Sequence, residues 1–246
     1  MNDILVQANR LSKTFTLHLQ AGTQLDVLHD TSLAVRARTC MALAGPSGTG
    51  KSTLLRSLYG NYLVDGGEIL VRHEGRMIDL TKAPPAEIIE IRRTTLGYVS
   101  QFLRAIPRVT ALDVVAGALT DRDVDLALAR ARAAKMLERL GIGPRLHGLP
   151  PATFSGGEQQ RVNLARAFVC DWPIMLLDEP TASLDNANRD IVIELMREAK
   201  ARGSALVGIF HDVFVREAIA DHVLALEPVS KMRDVSMAAR KNEEVA

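Results

Sequence analysis

The chain begins with short apolar runs set between polar turns and later changes to longer, helical spacings. Residues 4–7, 11–15 and 33–35 alternate or are β-rich, which predicts strands, with a turn around Gly22. Residues 40–44 predict a strand running into a glycine-rich stretch, with a helix over 53–58 behind it. Gly66-Gly67 leads into 68–72 and Gly75 into 77–80, the pattern of a hairpin. Pro84-Pro85 before 86–93 reads as a helix with proline in its first turn, and 96–101 as a strand ending on the amide of Gln101.

From 102 to about 160 the spacing is helical. Over 123–140, Val124, Leu128, Ala131, Leu137 and Leu140 fall on one face, with Arg130, Arg132, Lys135 and Arg139 on a solvated one. Pro150-Pro151 marks a loop. Residues 174–177 are wholly apolar, as a parallel strand buried on both faces must be. Residues 205–210 read as a second such strand and 223–226 as a final short one, while 188–201 has helical spacing at Ile191, Leu195 and Ala199 and stops at Gly203. Strand–helix alternation predicts an α/β fold around a parallel sheet, flanked by antiparallel β-structure. One domain is expected over 1–246: a core of 1–101 and 161–228, a helical insert over 102–160, and a polar tail over 229–246 to which no function is assigned.

Composition narrows the function classes. At 246 residues, 47% hydrophobic and 24% charged, the chain has the make-up of a soluble globular protein. A net charge of +1 and 4% aromatics argue against a nucleic-acid surface. No apolar run approaches the ~18 residues of a membrane span, so no direct insertion is expected. Cys40 and Cys170 have no C-x-x-C spacing and read as buried free thiols in a reducing cytoplasm.

Gly45-Pro46-Ser47-Gly48-Thr49-Gly50-Lys51-Ser52-Thr53 carries the chemistry. It fits G-x-x-x-x-G-K-[ST] between a predicted strand and a predicted helix, which turns a pattern into a mechanism. Glycines let successive backbone N–H groups turn toward a phosphate, and the helix opening at Lys51 adds its positive end. Lys51 can reach the β- and γ-phosphates of a nucleotide, and Ser52 offers a hydroxyl to Mg2+. Asp178 and Glu179 close the strand at 174–177, so one carboxylate can hold the metal while its neighbour serves as general base for the attacking water. Ser155-Gly156-Gly157-Glu158 begins a second helix with a serine cap and glycines, a second anion cradle. One lysine-bearing loop and two cradles per chain imply a homodimer with two ATP molecules sandwiched between subunits.

The combination resembles the ATP-binding-cassette (ABC) ATPases, over nearly the whole chain and through six motifs in order. Gln101 matches that family's Q-loop, Ser155 to Gln159 its signature, Asp178-Glu179 its second nucleotide motif, Ser183-Leu184-Asp185 its D-loop, and His211 its switch histidine. Phe15 falls where the family stacks an aromatic on adenine, replacing a tyrosine, and Phe154 replaces the leucine before the signature. The resemblance implies a RecA-like parallel-sheet core with an antiparallel β-subdomain and a helical subdomain, and ATP with Mg2+ as cofactors. It also implies that Gln101 senses Mg2+, His211 binds the γ-phosphate and orients water, and Asp185 reaches the partner's phosphate loop. Closure on ATP and release on hydrolysis would make the dimer a two-state switch.

Four stretches resemble one non-transport branch, the L-protein group of the bacterial phosphonate carbon–phosphorus lyase system. They are Ser57-Leu58-Tyr59 with Asn61-Tyr62-Leu63, Gln101-Phe102-Leu103-Arg104 with Ile106-Pro107-Arg108, Thr153 to Glu158, and Gly208 to Asp212. That resemblance implies soluble carbon–phosphorus lyase partners and a role supporting formation of alpha-D-ribose 1-methylphosphonate 5-triphosphate from ATP and a phosphonate. The alternative is the ATPase subunit of a lipoprotein-release or export transporter, which Ile106 to Leu112 also resembles.

Overall fold

The computed structural model describes residues 3–17, 22–101, 103, 107–229 and 232–233. β1 (Ile4–Leu17) and β2 (Thr23–Arg36) form a long antiparallel ribbon, with Val6 opposite Val35 and Phe15 opposite Leu25. The strands expected at 4–7 and 11–15 are thus one strand. A register shift between Ala8 and Leu11 absorbs Arg10, whose φ is 48°. The polar Asn9-Arg10 pair marks a bulge rather than a strand end. Likewise, the strand expected at 33–35 is only the end of β2, which cross-strand pairing extends back to Thr23.

β3 (Cys40–Ala44) leads through the glycine-rich loop into α1 (Lys51–Leu58), whose Leu54, Leu55 and Leu58 are fully buried. Each such side chain contributes about 1.5–3 kcal/mol of apolar burial, anchoring the helix behind the loop. β4 (Gly66–His73) and β5 (Arg76–Asp79) are the expected hairpin, turned at Glu74 and Gly75, both with positive φ. α2 (Pro85–Thr94) and β6 (Leu96–Val99) follow as read.

The helical stretch resolves into α3 (Ala111–Thr120), α4 (Leu126–Arg139), the single-turn α5 (Pro144–His147) and α6 (Gly156–Phe168). The predicted face of α4 is corrected. Asp125 is its N-cap, accepting from the backbone N–H groups of Ala127 and Leu128, and Ala129, Ala133 and Leu137 are buried. Leu128 is 54% exposed. An alanine stripe lets α3 and α6 approach closely, and it carries a weaker hydrophobic signal than the leucines beside it. The arginines are not merely solvated: Arg130 pairs with Asp113, Arg139 with Glu198, and Arg132 donates to the Val169 carbonyl.

β7 (Ile174–Asp178), α7 (Asn186–Arg202), β8 (Ala205–Ile209), α8 (Val213–Ile219), β9 (His222–Ala225) and β10 (Met232–Arg233) are the remaining elements among the described residues. α8 and β10 were not anticipated. One sheet runs β10-β2-β1-β4-β5, all antiparallel, and the other runs β6-β7-β8-β3-β9, all parallel. Every residue of β7 and β8 is buried. Ile174 and Leu176 face a core shared with α1 and the antiparallel sheet, whereas Met175 and Leu177 face the helices. The parallel sheet therefore lies between two cores, and its carboxyl edge gathers the ends of β3, β6, β7 and β8. Ligands of open α/β sheets bind at that edge.

Among the described residues no helix is long and apolar enough to cross a membrane. Cys40 and Cys170 are buried free thiols, as read.

Candidate nucleotide-binding and hydrolysis site

The loop after β3 curls tightly because Gly50, at φ 89°, sits where an added Cβ would stand 2.6 Å from the Val27 carbonyl oxygen. Lys51 is buried at the start of α1, and its ammonium donates to the carbonyls of Gly45 (2.8 Å) and Pro46 (2.7 Å). These bonds hold the charge across the mouth of the loop, where backbone N–H groups and the helix start favour an anion. A cleft of about 360 Å³ opens there, lined by Phe15, Leu25, Val27, Ser47, Gly48, Gly50, Lys51, Ser52, Thr53, Glu179 and His211. Phe15 supplies the aromatic wall read from the sequence. Leu25 and Val27 were missed, although their alternation along β2 places both on the same face. A larger cleft of about 770 Å³ touches the loop only at Thr49 and brings none of the other expected residues together.

Asp178, at the end of β7, is 3% exposed. Ser52 Oγ lies 3.4 Å from its Oδ1, and the Tyr98 hydroxyl donates to its Oδ2 at 3.1 Å. Burial pushes the Asp178 carboxyl above the usual carboxylate range, against the opposing pull of Tyr98 and Arg56. Burial, with Asp178 beside it, also pushes the Tyr98 phenol up, so it stays a donor. Among the described residues no group of three or more His, Cys, Asp or Glu side chains gathers for a metal, but a buried carboxylate with a hydroxyl at each oxygen is a hard-oxygen donor set suited to Mg2+. Ser52 and Asp178 thus fit the metal.

Glu179 has φ 53°, an uncommon conformation for a side chain of its size, and it precedes Pro180. Its carboxylate takes bonds from both the Q-loop glutamine and the switch histidine expected from the sequence. Gln101 Nε2 donates to Oε2 at 3.2 Å, and His211 Nε2 lies 2.8 Å from Oε1. Gln101, Glu179 and His211, from three strand ends, therefore meet at one carboxylate, one residue beyond the metal candidate.

The second cradle is built as a capping box. Ser155 caps α6, the Glu158 backbone N–H donates to Ser155 Oγ at 3.3 Å, and the Ser155 N–H and hydroxyl donate to Glu158. Those bonds hold the Glu158 carboxyl below its usual range. Ser155, Gly156, Gly157 and Glu158 do not line the Lys51 cleft. Gly157 packs toward the Ser183 carbonyl, and Asp185 caps α7 by accepting from the Asn188 N–H at 2.8 Å. Bonds from Asn188 hold the Asp185 carboxyl low. α6 joins this end to the cleft: Asn163 donates to the Ser100 carbonyl at 2.7 Å and Gln160 to the Pro180 carbonyl at 3.2 Å. The sequence reading overlooked both, along with Tyr98; a buried amide two or three turns into an otherwise apolar helix face was the signal for Asn163.

A parallel-sheet core, a lysine phosphate loop, an acidic strand end and a separate glycine cradle define a cassette ATPase. Residues 28–182 match the family model described as ABC transporter, and the chain belongs to that family. Its cofactors are ATP and Mg2+, as expected. The lipoprotein-releasing system ATP-binding protein LolD of Shewanella oneidensis is 38% identical over 213 residues, 86% of this chain and 89% of LolD. LolD of Shewanella sp. (strain MR-4) is 37% identical over 213 residues, with the same coverage. The dimeric structure of MJ0796, a bacterial ABC transporter cassette, superposes with a TM-score of 0.83 at 26% identity, covering 94% of this chain and all of that one. A dimeric post-hydrolysis structure of the same cassette bound to ADP and Pi gives 0.82 at 27% identity, with the same coverage. The fold class read from the sequence is that of these cassettes.

These relatives overturn the phosphonate assignment. Likeness to LolD runs through 213 residues, whereas the four stretches taken as phosphonate-specific are short, and three of them centre on Gln101, Ser155 to Glu158 and His211. Those residues face the same ATP chemistry in every branch, so they discriminate poorly between branches. Phe102, Arg104 and Ile106, part of that reading, lie outside the described residues. Soluble carbon–phosphorus lyase partners and a triphosphate-synthase role find no support.

Proposed function

We propose that this chain is the ATP-hydrolysing subunit of a membrane transporter of the lipoprotein-releasing type, acting as a homodimer held at the membrane by a multi-span permease. The observation that carries the reading is 38% identity to LolD across 89% of that protein's length. The dimer is supported by the dimeric cassettes and by a glycine cradle that lies outside its own chain's Lys51 cleft.

In this reading Phe15 stacks on the adenine, and the backbone N–H groups of residues 45–53 with Lys51 hold the β- and γ-phosphates. Ser52 and Asp178 hold Mg2+ with Gln101 beside them; the ion, when bound, neutralises charge on the phosphates. Glu179 accepts the proton of the attacking water, and His211, already 2.8 Å from that carboxylate, orients the water against the γ-phosphate. Ser155, Gly156, Gly157 and Glu158 present the start of α6 to the partner's γ-phosphate, and Asp185 approaches the partner's phosphate loop. Water enters only as nucleophile because the two chains close over the nucleotide.

The test is a trapped variant. Glu179→Gln should bind ATP, lose hydrolysis by about 100-fold or more and accumulate as a dimer in size-exclusion chromatography with Mg·ATP. Tagged and purified from gently solubilised cells, it should bring down a multi-span membrane protein in stoichiometric yield. Recovery of soluble partners alone would overturn the transporter reading while leaving the ATPase intact; full turnover would remove Glu179 as base.

A further inference from the structure

We propose that Tyr98 is a positioning residue for the metal carboxylate: its hydroxyl fixes one oxygen of Asp178 so that the other stands beside Ser52. The proposal rests on the Mg2+ reading of Ser52 and Asp178.

Tyr98 lies on β6, paired with Leu176 of β7, so its side chain is on the same face of the sheet as Leu176 and, two residues on, Asp178. The hydroxyl donates to Asp178 Oδ2 at 3.1 Å, and Ser52 Oγ is 3.4 Å from Oδ1. One hydroxyl therefore serves each carboxylate oxygen, and rotation of the carboxylate breaks the Tyr98 bond. The phenol is itself held. Its ring packs on Tyr59 with centroids 4.9 Å apart, and the Arg92 guanidinium lies 4.8 Å over the Tyr59 ring while its Nε donates to the Tyr59 carbonyl at 2.9 Å. Tyr59, Arg92 and Tyr98 also line a cleft of about 630 Å³ between the sheet and α2, α3 and α6. The hydroxyl end of Tyr98 is thus at the metal carboxylate while its ring lines a cleft that shares no residue with the Lys51 cleft. Residues one shell behind a metal ligand typically change metal affinity by about 10–100-fold when removed.

The experiment is Mn2+ binding, read by electron paramagnetic resonance, to the full chain carrying a non-hydrolysable ATP analogue. Tyr98→Phe removes only the hydroxyl. It should weaken Mn2+ about tenfold and raise the Mg2+ concentration for half-maximal hydrolysis to match. Analogue binding in EDTA and kcat at saturating Mg2+ should stay within about threefold of the wild type. An unchanged Mn2+ affinity would overturn the proposal, as would an equal loss of analogue binding in EDTA, which marks a purely structural role. Asp178→Asn in parallel tests the underlying reading: if it binds Mn2+ as the wild type does, the metal site itself is misassigned and the proposal falls with it. A second readout needs no variant of the fold. With fluorotyrosine at the chain's three tyrosines, the Tyr98 fluorine resonance should move when Mg2+ is added to the analogue complex, and a resonance that stays put would count against the role.

Discussion

Gly156 and Gly50 make opposite predictions, although both belong to glycine-rich anion sites. Gly156 is the first residue of α6, and a Cβ built there meets nothing within 4 Å. Alanine is intrinsically up to about 1 kcal/mol better than glycine in a helix. Gly156→Ala should therefore leave the isolated chain's melting temperature unchanged or raise it by up to about 2–4 °C. ATP binding should also be unchanged, because the Lys51 cleft does not include Gly156. In the proposed closed dimer the new methyl stands where the partner's γ-phosphate would approach the α6 N–H groups. Alanine keeps its N–H, but a methyl that holds the γ-phosphate off these donors has the effect of losing one, which costs about 10²–10³ in rate, so hydrolysis should fall at least 100-fold. Gly50→Ala is the contrast. Its φ of 89° and a Cβ 2.6 Å from the Val27 carbonyl oxygen combine left-handed strain of about 1–2 kcal/mol with an overlap of about 1–3 kcal/mol. Melting should drop by roughly 5–15 °C. Calorimetry, equilibrium ATP binding and steady-state hydrolysis on both variants complete the assay. Normal hydrolysis by Gly156→Ala would refute the trans-acting cradle, and a lowered melting temperature would show that the glycine is there for the fold.

Two further predictions concern buried titratable groups. Asp178 has its folded pKa raised by burial, so its charge costs stability above that pKa, and the cost disappears as the group protonates on acidification. Asp178→Asn should accordingly melt about 2–4 °C higher near pH 8, for roughly 1 kcal/mol relieved, with the gain vanishing in acid and hydrolysis lost throughout. Equal melting at pH 8 would show that Tyr98 and Ser52 already compensate the charge. Burial pushes the Cys40 thiol up to about 12, leaving on the order of one thiolate in ten thousand at pH 8. Thiol reagents should find neither Cys40 nor Cys170 on a timescale of minutes until denaturant is added; rapid native labelling would contradict the buried placement of both.

What could be read from the chain follows from how locally each feature is specified. The phosphate loop is complete within nine consecutive residues, and the two-sided burial of β7 is written in its apolar run, so both were legible. Gln101, Glu179 and His211 were each recognisable, but their meeting at the Glu179 carboxylate depends on β6, β7 and β8 being neighbours in the sheet. The face of α4 was misjudged because Asp123, at φ 62°, precedes the helix and Asp125 caps it. The expected face holds at Leu137 and Leu140, both fully buried, and fails in the first turns, where Ala129 and Ala133 face inward and Leu128 does not. Closely packed alanines then did the work that leucines were expected to do. α8 escaped notice because seven residues give too few turns for a period to emerge.

The partner was misread for a different reason. Residues that hold ATP answer to the same triphosphate in every branch of the family, so sequence around them distinguishes branches weakly. Selection for a particular partner acts on surfaces away from the nucleotide. There a side chain's fitness depends on a molecule outside the chain, and no internal periodicity or hydrogen-bond rule predicts it. Likeness spread over 213 residues samples those surfaces as well as the motifs. That is why it outweighs four short stretches, however well they match, and why the trapped Glu179→Gln complex is the measurement that decides the partner.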